Sequence, residues 1–427
     1  MTGIPLQYAF LTGNISFWIE KLHNEHGDVV RISPNELSFN TAQSFQDIYG
    51  FRQGHAVLQK DKGYYFPPAG SIDDLLTAED ADHFRMRKLL EPAFSSKALR
   101  AMDPVITSFT NLLIEKLREQ ALHPEKEVVD ILQWFNWTTF DVVGELTYGQ
   151  SFGCLDEGVF HPWIKTIFQG LKIVVYFNVC RRIPWLFAVL KWLTPSILRQ
   201  KRMDHYNFAA ERARQRLARE VHKPDFLTYV SRDTKTGGMS TEEIEANCAL
   251  LLIAGSETTA TVLSGAIFFL LNNPEKRKIL VDEIRGAFRE SQDINTISVF
   301  ALPYLSAVLS ESLRMYPPVP IGLPRLVPEA GDTISGYWVP GTWSTYHSTR
   351  NFTEPYSFLP ERWLSNRDSR FINDQHDALQ PFSVGPRNCI GKNLGEEAIA
   401  GETENGREMN DQEICHVLGS GNKEQSA

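Results

Sequence analysis

The spacing of apolar and polar positions predicts a mostly helical protein. Apolar residues recur with the 3.6-residue period of a helix that buries one face. The segments with this pattern are 80–90, 106–119, 133–148, 204–221, 274–289 and 303–315. Neither an internal repeat nor a flexible linker interrupts the sequence before residue 396. We therefore expect the helices to belong to one domain.

Two short stretches show strand-like alternation instead. Residues 27–39, GDVVRISPNELSF, place a Ser-Pro-Asn turn between alternating segments, which is typical of a β-hairpin. Residues 332–347 show a similar pattern, with Pro340 and Gly341 at the predicted turn. The predicted fold class is therefore mainly α with small β-sheets.

One predicted helix, residues 240–273, is long enough to cross a whole domain. Ser240 and Glu243 have the spacing of a capping box at its start, and Pro274 follows its end. Between residues 248 and 271 its only charged residue is Glu257. Length alone would allow a transmembrane span. A carboxylate near the centre costs about 2.5–3.5 kcal/mol in a bilayer and no basic belt flanks the segment, which favours a buried central helix.

The middle of this helix, AGSETT at residues 254–259, is unusually polar. Gly255 weakens the helix, and the hydroxyl groups that follow compete for backbone carbonyls. We therefore expect a local opening that gives a ligand room beside the helix axis. Glu257 and Thr258 would supply a carboxylate and a hydroxyl for proton transfer. A polar contact between two helices is the alternative interpretation.

Charge and composition restrict the kinds of partner and the domain boundaries that we expect. The chain has 427 residues and a formal net charge of −9, which argues against nucleic acid as a partner. Residues 396–427 contain eight acidic and two basic residues, so they predict a disordered acidic tail after a domain at 1–395. The first 18 residues lack the basic start and long apolar run of a signal peptide or membrane anchor.

The five cysteines are Cys154, Cys180, Cys248, Cys389 and Cys415. An odd number at wide spacing, without a C-x-x-C pair, indicates a reducing compartment and argues against structural zinc. The first three have the apolar surroundings of ordinary core residues.

Cys389 lies in a different setting, FSVGPRNCIG. Arg387 places a positive charge near the sulfur, which favours the thiolate. Gly385 and Gly391 allow backbone turns that point N–H groups at the sulfur, and Phe382 can shield it from water. This combination predicts a thiolate metal ligand.

The pattern F-x-x-G-x-R-x-C-x-G, preceded by A-G-x-E-T-T, resembles the cytochrome P-450 haem-thiolate monooxygenases, and the likeness extends over residues 18–394. The resemblance implies the P-450 fold and haem b (iron protoporphyrin IX), with the long central helix over the haem. It implies that Cys389 is the axial ligand. Thr258 would be the oxygen-activating threonine and Glu257 its acidic neighbour.

The family also has an E-x-x-R motif completed by a distant arginine. Four E-x-x-R sequences occur here, beginning at residues 115, 211, 311 and 404. Only the third is followed by Pro-Pro and later by PERW. The resemblance therefore implies a buried structural triad of Glu311, Arg314 and Arg362.

By the same resemblance, haem propionates would bind His83, Arg87, Arg325 and Arg387. His83 and Arg87 are four positions apart, so they lie on one face of the predicted helix. A solvated surface histidine is the alternative for His83.

The implied reaction is hydroxylation or epoxidation of an apolar small molecule, a secondary metabolite of the fungal type, with O2. Electrons would come from NADPH through NADPH-cytochrome P-450 reductase, since no dinucleotide-binding fingerprint occurs here. Arg85, Lys88, Lys97 and Arg100 would form a docking face for it, or are simply solvated. The implied location is the cytosolic face of the endoplasmic reticulum, with peripheral membrane contact through residues 173–193. An ordinary core helix is the alternative for that segment.

The sequence departs from the family at both ends. It starts inside the expected domain, and the segment after CIGKNL is acidic and broken by glycines where the family has an apolar helix. The domain is therefore expected to be incomplete at both ends, and an unspliced intron is one hypothesis for the tail. A non-catalytic haem-binding remnant is an alternative function. A membrane-helix protein with accidental motifs is another.

Overall fold

The computed structural model describes residues 3–65, 72–122, 129–164, 175–176, 178–182, 187, 196–219, 224–230, 238–288, 296–299, 301–328, 331–338 and 351–396. The helices in these ranges are α1 Ile4–Leu11, α2 Ile15–His26, α3 Ala42–Tyr49, α4 Asp80–Leu90, α5 Ser96–Ala121, α6 Ile131–Tyr148, α7 Cys154–Glu157, α8 Ser196–Leu217, α9 Phe226–Val230, α10 Thr241–Asn272, α11 Pro274–Ala287, α12 Thr296–Val299 and α13 Pro303–Met315. The strands are β1 Val29–Ser33, β2 Glu36–Phe39, β3 Gln59–Lys60, β4 Arg325–Leu326, β5 Thr333–Ile334 and β6 Tyr337–Trp338. The predicted fold class, mainly α with small sheets, is confirmed.

Helices α6 and α10 form the centre of the molecule. They pack along each other, with α5 and α8 against their outer sides. Helix α6 is buried on nearly all its faces, including its polar residue Asp141. That carboxylate accepts hydrogen bonds from the backbone N–H groups of Phe152, at 2.9 Å, and Leu155, at 2.8 Å. The buried charge is thus satisfied by the loop that follows the helix.

Helix α10 is the predicted central helix. Ser240 and Glu243 form both hydrogen bonds of the capping box, which satisfies two N–H groups at the helix start. By length and composition α10 could also cross a membrane. Many of its side chains are instead buried against α6, α8 and α13, as expected of a core helix.

The predicted bounds are confirmed for two helices, and two others begin earlier than predicted. Helix α4 and helix α13 have the predicted bounds. Helix α5 begins ten residues earlier than predicted, because Ser95 caps it and the helix continues through Pro104. Helix α8 also begins earlier, at Ser196.

Of the two predicted hairpins, the first is confirmed and the second is tested only in part. Strands β1 and β2 pair antiparallel within residues 27–39. Strands β5 and β6 also pair, and a turn at Ser335 and Gly336 that was not predicted joins them, whereas the turn at Pro340 and Gly341 stays a prediction. Ser335 and Gly336 both have positive φ, 50° and 79°, as the tight turn between two twisted strands requires. Residues 339–350 lie outside the described residues.

A third pair of strands, β3 and β4, was not predicted. It joins Gln59–Lys60 to Arg325–Leu326, with Lys60 directly opposite Arg325. Such a short pairing between distant segments leaves no alternation for sequence analysis to detect. The proposed tail falls almost entirely on residues 397–427, which lie outside the described residues, so the boundary at 395 stays a prediction.

Candidate active site

The loop that carries Cys389 is fixed against the N-terminal part of the chain. Gly385 has φ +74°, and a Cβ at this position would lie 2.0 Å from the backbone oxygen of Tyr49. Only glycine therefore fits where the loop contacts the end of α3. Arg87 of α4 holds the other side, since its guanidinium donates to the backbone and side-chain oxygens of Asn388 at 2.6 and 2.7 Å.

The Cys389 thiol lies at an accessible point of this loop. Its backbone N–H donates to the Phe382 carbonyl at 2.8 Å, and Phe382 packs against the main core. Gly391 is close enough that a Cβ there would lie 3.9 Å from the sulfur. Desolvation raises the pKa of the thiol, and the nearby Arg87 acts in the opposite direction. The residue itself remains exposed, so a ligand can reach the sulfur from one side.

No other described part of the chain offers a competing metal site. The residues described include no cluster of three His, Cys, Asp or Glu side chains that could hold a metal ion. Cys154 and Cys248 are buried in the core and Cys180 is half-buried. Cys389 is thus the candidate metal ligand.

His83 is a buried residue, which overturns the alternative of a solvated surface histidine. It is 2% exposed, and its Nδ1 is buried without a hydrogen-bond partner. Burial, together with the positive charges of Arg387, Lys60 and Arg87, lowers the pKa of His83 to about 3. The imidazole is therefore neutral at physiological pH and surrounded by cations.

The other two predicted propionate partners, Arg387 and Arg325, both lie near Lys60, and Arg387 also lies near His83. Arg387 donates to Asp80 at 2.6 Å and to the Ala78 carbonyl at 2.9 Å, but its Nη1 is buried without a partner. Arg325 donates to the hydroxyl of Tyr65 at 3.0 Å. The positive charges of Arg387 and Arg325 also lower the pKa of Lys60. Sequence analysis missed Lys60, because β3, which positions it, has no local signal.

The polar centre of α10 divides into two faces. Ser256 and Thr259 are buried towards neighbouring helices, so a polar helix contact describes these two residues. Ala254 is exposed in the middle of this long buried helix, and Thr258 lies one turn after it. This face of α10 is therefore partly open to solvent at Thr258.

The predicted opening of the helix is absent, because α10 continues through this segment without a break. The Thr258 hydroxyl donates to the Ala254 carbonyl at 2.6 Å without interrupting the helix. Gly255 has a different role, since a Cβ there would lie 3.0 Å from Val143 of α6. Its small size lets the two central helices approach closely.

Glu257, beside Thr258, has the features of a proton carrier. Burial raises the pKa of its carboxyl group, and its Oε2 is buried without a hydrogen-bond partner. A carboxyl group in this environment is held closer to neutrality than usual and can exchange a proton.

Helix α4 connects the two sides of the candidate site. Asn247 of α10 contacts the sulfur of Met86 at 3.4 Å and donates to the carbonyl of Glu243. Arg87, one residue after Met86, holds the Cys loop through Asn388. The cysteine loop and the central helix are thus both positioned by one short helix.

A buried ion network joins α13 to the PERW turn. Glu311 and Arg314 lie on α13, and Arg362 lies in the turn. All three are 0% exposed. Glu311 accepts from Arg314 at 2.8 and 2.9 Å and from Arg362 at 3.3 Å. Arg362 also pairs with Asp374, which sequence analysis missed because Asp374 lies in an irregular segment. In the E-x-x-R sequence at 211, Arg214 pairs instead with Glu245.

The proposed basic docking face is smaller than predicted. The Arg85 guanidinium donates to Glu243 at 3.2 Å and so ties α4 to the start of α10. Lys88, Lys97 and Arg100 are exposed. Of the predicted membrane-contact segment 173–193, only residues 175–176, 178–182 and 187 are described, and Tyr176 is 56% exposed.

Comparison with known proteins agrees with this geometry. The cytochrome P450 family model matches residues 1–399. The cytochrome P450 monooxygenase astJ of Aspergillus oryzae is 42% identical over 403 residues, covering 92% of this chain and 80% of the relative. The cytochrome P450 monooxygenase lcsI of Purpureocillium lilacinum is 40% identical, covering 92% and 78%. The chain therefore belongs to the cytochrome P450 family of haem-dependent monooxygenases.

Proposed function

We propose that the Cys389 loop, α4 and the centre of α10 form the active site of this monooxygenase. Haem b is the cofactor of the family. The residues present fit it, because the Cys389 thiol is accessible while the His83 Nδ1 and Arg387 Nη1 are buried without partners. These two groups, with Arg325, would bind the propionates. Arg87 adds its charge but is already engaged with Asn388, so its main role would be to position the loop.

Bound haem supplies redox chemistry with O2, tuned by its thiolate ligand. The protein's own contribution is proton delivery and exclusion of water. Thr258 would hold a proton at its hydroxyl oxygen, and Glu257 would resupply it from its carboxyl group. The raised pKa of Glu257 supports this order of transfer. The buried flanks of α10 would restrict water to the Thr258 face.

The substrate we propose is an apolar small molecule, a fungal secondary metabolite. A largely apolar groove supports entry of such a compound. Its apolar lining includes Leu6, Phe10, Ile19, Ile321 and Leu323, and Arg325 is among its polar lining residues. Oxygen, an organic substrate and a redox partner are general requirements of the family.

For electron supply we propose NADPH-cytochrome P-450 reductase, docking at the exposed Lys88, Lys97 and Arg100. Fungal members of the family are commonly membrane-associated. We propose peripheral contact with the cytosolic face of the endoplasmic reticulum. The exposed apolar side chains of Ile4 and Phe17, 68% and 72% accessible, support a contact with lipid.

The observation that carries the proposal is the accessible Cys389 thiol in a loop that Arg87 and the backbone of Tyr49 hold in place. The test is the absorption spectrum of the reduced, CO-treated protein after expression with haem. We expect the strongly red-shifted Soret band of thiolate ligation, and its loss in Cys389→Ser with Cys154→Ser as the matched control. A band at the same position in Cys389→Ser would refute Cys389 as the ligand.

A second measurement separates the monooxygenase from a non-catalytic haem-binding remnant. With haem bound and reductase supplied, NADPH consumption should be coupled to product formation. Thr258→Ala should retain the CO spectrum while diverting electrons to peroxide, because proton delivery is impaired. NADPH consumption that is absent in the wild type, despite an intact CO spectrum, would favour the remnant.

A further inference from the structure

The pairing of β3 with β4 places two cations side by side. Lys60 and Arg325 are directly opposite each other in an antiparallel pair, so their side chains leave the sheet on the same face. Like charges in this position repel each other and destabilise the pairing. Both flank the same ring, because the Lys60 Nζ and the Arg325 Cζ lie 4.9 and 5.8 Å from the centroid of Tyr65.

The neighbouring acids do not neutralise Lys60. Its Nζ donates to the Leu76 carbonyl at 2.5 Å, and no described carboxylate forms an ion pair with it. Asp74 is occupied by the Leu76 and Thr77 N–H groups, both at 2.9 Å. Asp80 is occupied by Arg387 and Gln59.

The charge around Lys60 is therefore strongly positive. Arg387 and Arg325 face it from the Cys loop and β4, and the neutral His83 faces it from α4. Desolvation lowers the pKa of Lys60 most, and the positive charges of the two arginines lower it further. The smaller effects of Asp74 and Asp80 raise it. Together these lower the pKa of Lys60 to about 7.

We propose that Lys60 is a further cofactor-binding residue, which holds a haem propionate together with Arg325 and is fully protonated once that carboxylate is bound. This inference rests on the proposed function, because it requires haem beside Cys389. An incoming carboxylate would remove the like-charge repulsion between β3 and β4. The carboxylate would also balance the positive charge of the cationic site, which Asp80 alone does not balance.

A pH dependence follows from this role. Below pH 7 Lys60 is already charged and binding needs no proton. Above pH 7 the amine is increasingly neutral before binding and charged afterwards, so binding takes up a proton. Haem affinity should then fall as pH rises, by up to about tenfold per pH unit.

The test is a spectrophotometric titration of the full-length chain, expressed without haem, at pH 6.5 and 8.5. The two probes are haem and its dimethyl ester, which lacks the propionate charges. For the wild type we expect haem to bind at least about tenfold more weakly at pH 8.5 than at pH 6.5. Lys60→Met should bind haem about tenfold more weakly at pH 6.5 and lose most of the pH dependence.

Lys60→Arg separates charge from structure, because arginine stays protonated throughout this range. It should bind haem tightly at both pH values. Lys62→Met is the matched control: two positions along, its Nζ donates to the Thr77 carbonyl at 2.8 Å instead of facing the cationic site. It should behave like the wild type, and none of these substitutions should affect binding of the dimethyl ester.

The inference is overturned if Lys60→Met and the wild type bind haem equally, or if Lys60→Arg keeps the wild-type pH dependence. Its failure can be told apart from failure of the proposed function. If the wild type binds haem through Cys389, as its CO spectrum shows, and Lys60 has no effect, only this inference fails. If the wild type binds no haem, both fail.

Discussion

Two clusters of charged side chains in this molecule differ in how their charges are balanced. In the network around Glu311, two carboxylates and two guanidinium groups pair with one another, and Asp374, the most exposed of the four, has only 1% of its side chain exposed. In the cationic site around Arg387, the positive groups of Lys60, Arg87 and Arg325 lie nearby. Of the two neighbouring carboxylates, only Asp80 is bonded to Arg387, while Asp74 is occupied by backbone N–H groups.

The difference separates a scaffold from a binding site. Buried ions need partners, and a network that supplies all its own partners has a purely structural role. The cationic site instead contains buried polar atoms, His83 Nδ1 and Arg387 Nη1, without partners among the described residues. Under the proposed function a bound anion completes its charge, so the two clusters should respond in opposite ways when a charge is removed.

The largest effect is expected from Glu311→Gln, which breaks the balanced network. Arg314 and Arg362 would be left buried with half their negative charge gone. We expect the free energy of unfolding to fall by about 3–5 kcal/mol, measured by urea denaturation of the full-length chain. Glu211→Gln is the control, because Glu211 begins another E-x-x-R sequence but is exposed, and its unfolding curve should barely change. Equal losses in the two variants would contradict a structural role specific to the buried network.

A smaller effect is expected from the pH dependence of stability at His83. Its pKa is about 3 in the folded protein and about 6.5 when unfolded. Between these values the unfolded chain binds a proton that the folded protein does not, so stability decreases as pH falls below 6.5. From pH 7 to pH 5 this costs at most about 2 kcal/mol. His83→Gln should lose less stability than the wild type over that interval in urea denaturation, and equal losses would contradict burial of a neutral imidazole at this position.

The smallest effect is expected from Lys60→Met, which should increase the free energy of unfolding. Lys60→Met relieves the repulsion from Arg325, so the chain expressed without haem should gain up to about 1 kcal/mol in the free energy of unfolding. The same urea experiment measures it, with Lys62→Met as the reference. A clear loss of stability would mean that Lys60 belongs to the scaffold, like Glu311.

The features that the sequence predicts correctly are those whose residues lie close together along the chain. Helices α4 and α13 have their predicted bounds because their periodicity is regular and proline starts α13. The cysteine loop and the segment around Thr258 were found because their residues are close together in the sequence. The same holds for the pair Glu311 and Arg314, which lie one turn apart on α13.

The features that were missed depend on contacts between distant segments. Asp374 completes the ion network from a segment without regular structure, and nothing in its neighbours marks it. Lys60 gains its role from β4, which is a two-residue strand far along the chain. The turn at Ser335 and Gly336 was missed because Pro340-Gly341 is the stronger turn signal in the sequence.

The attachment of the cysteine loop to α3 and α4 also constrains how this protein is made. Arg87 and Asn388 are 301 positions apart, and Gly385 must settle on the backbone of Tyr49. A growing chain cannot make either contact until residue 388 has left the ribosome. Both contacts therefore form late, since neither side of the cysteine loop is held until almost all of the described chain is available.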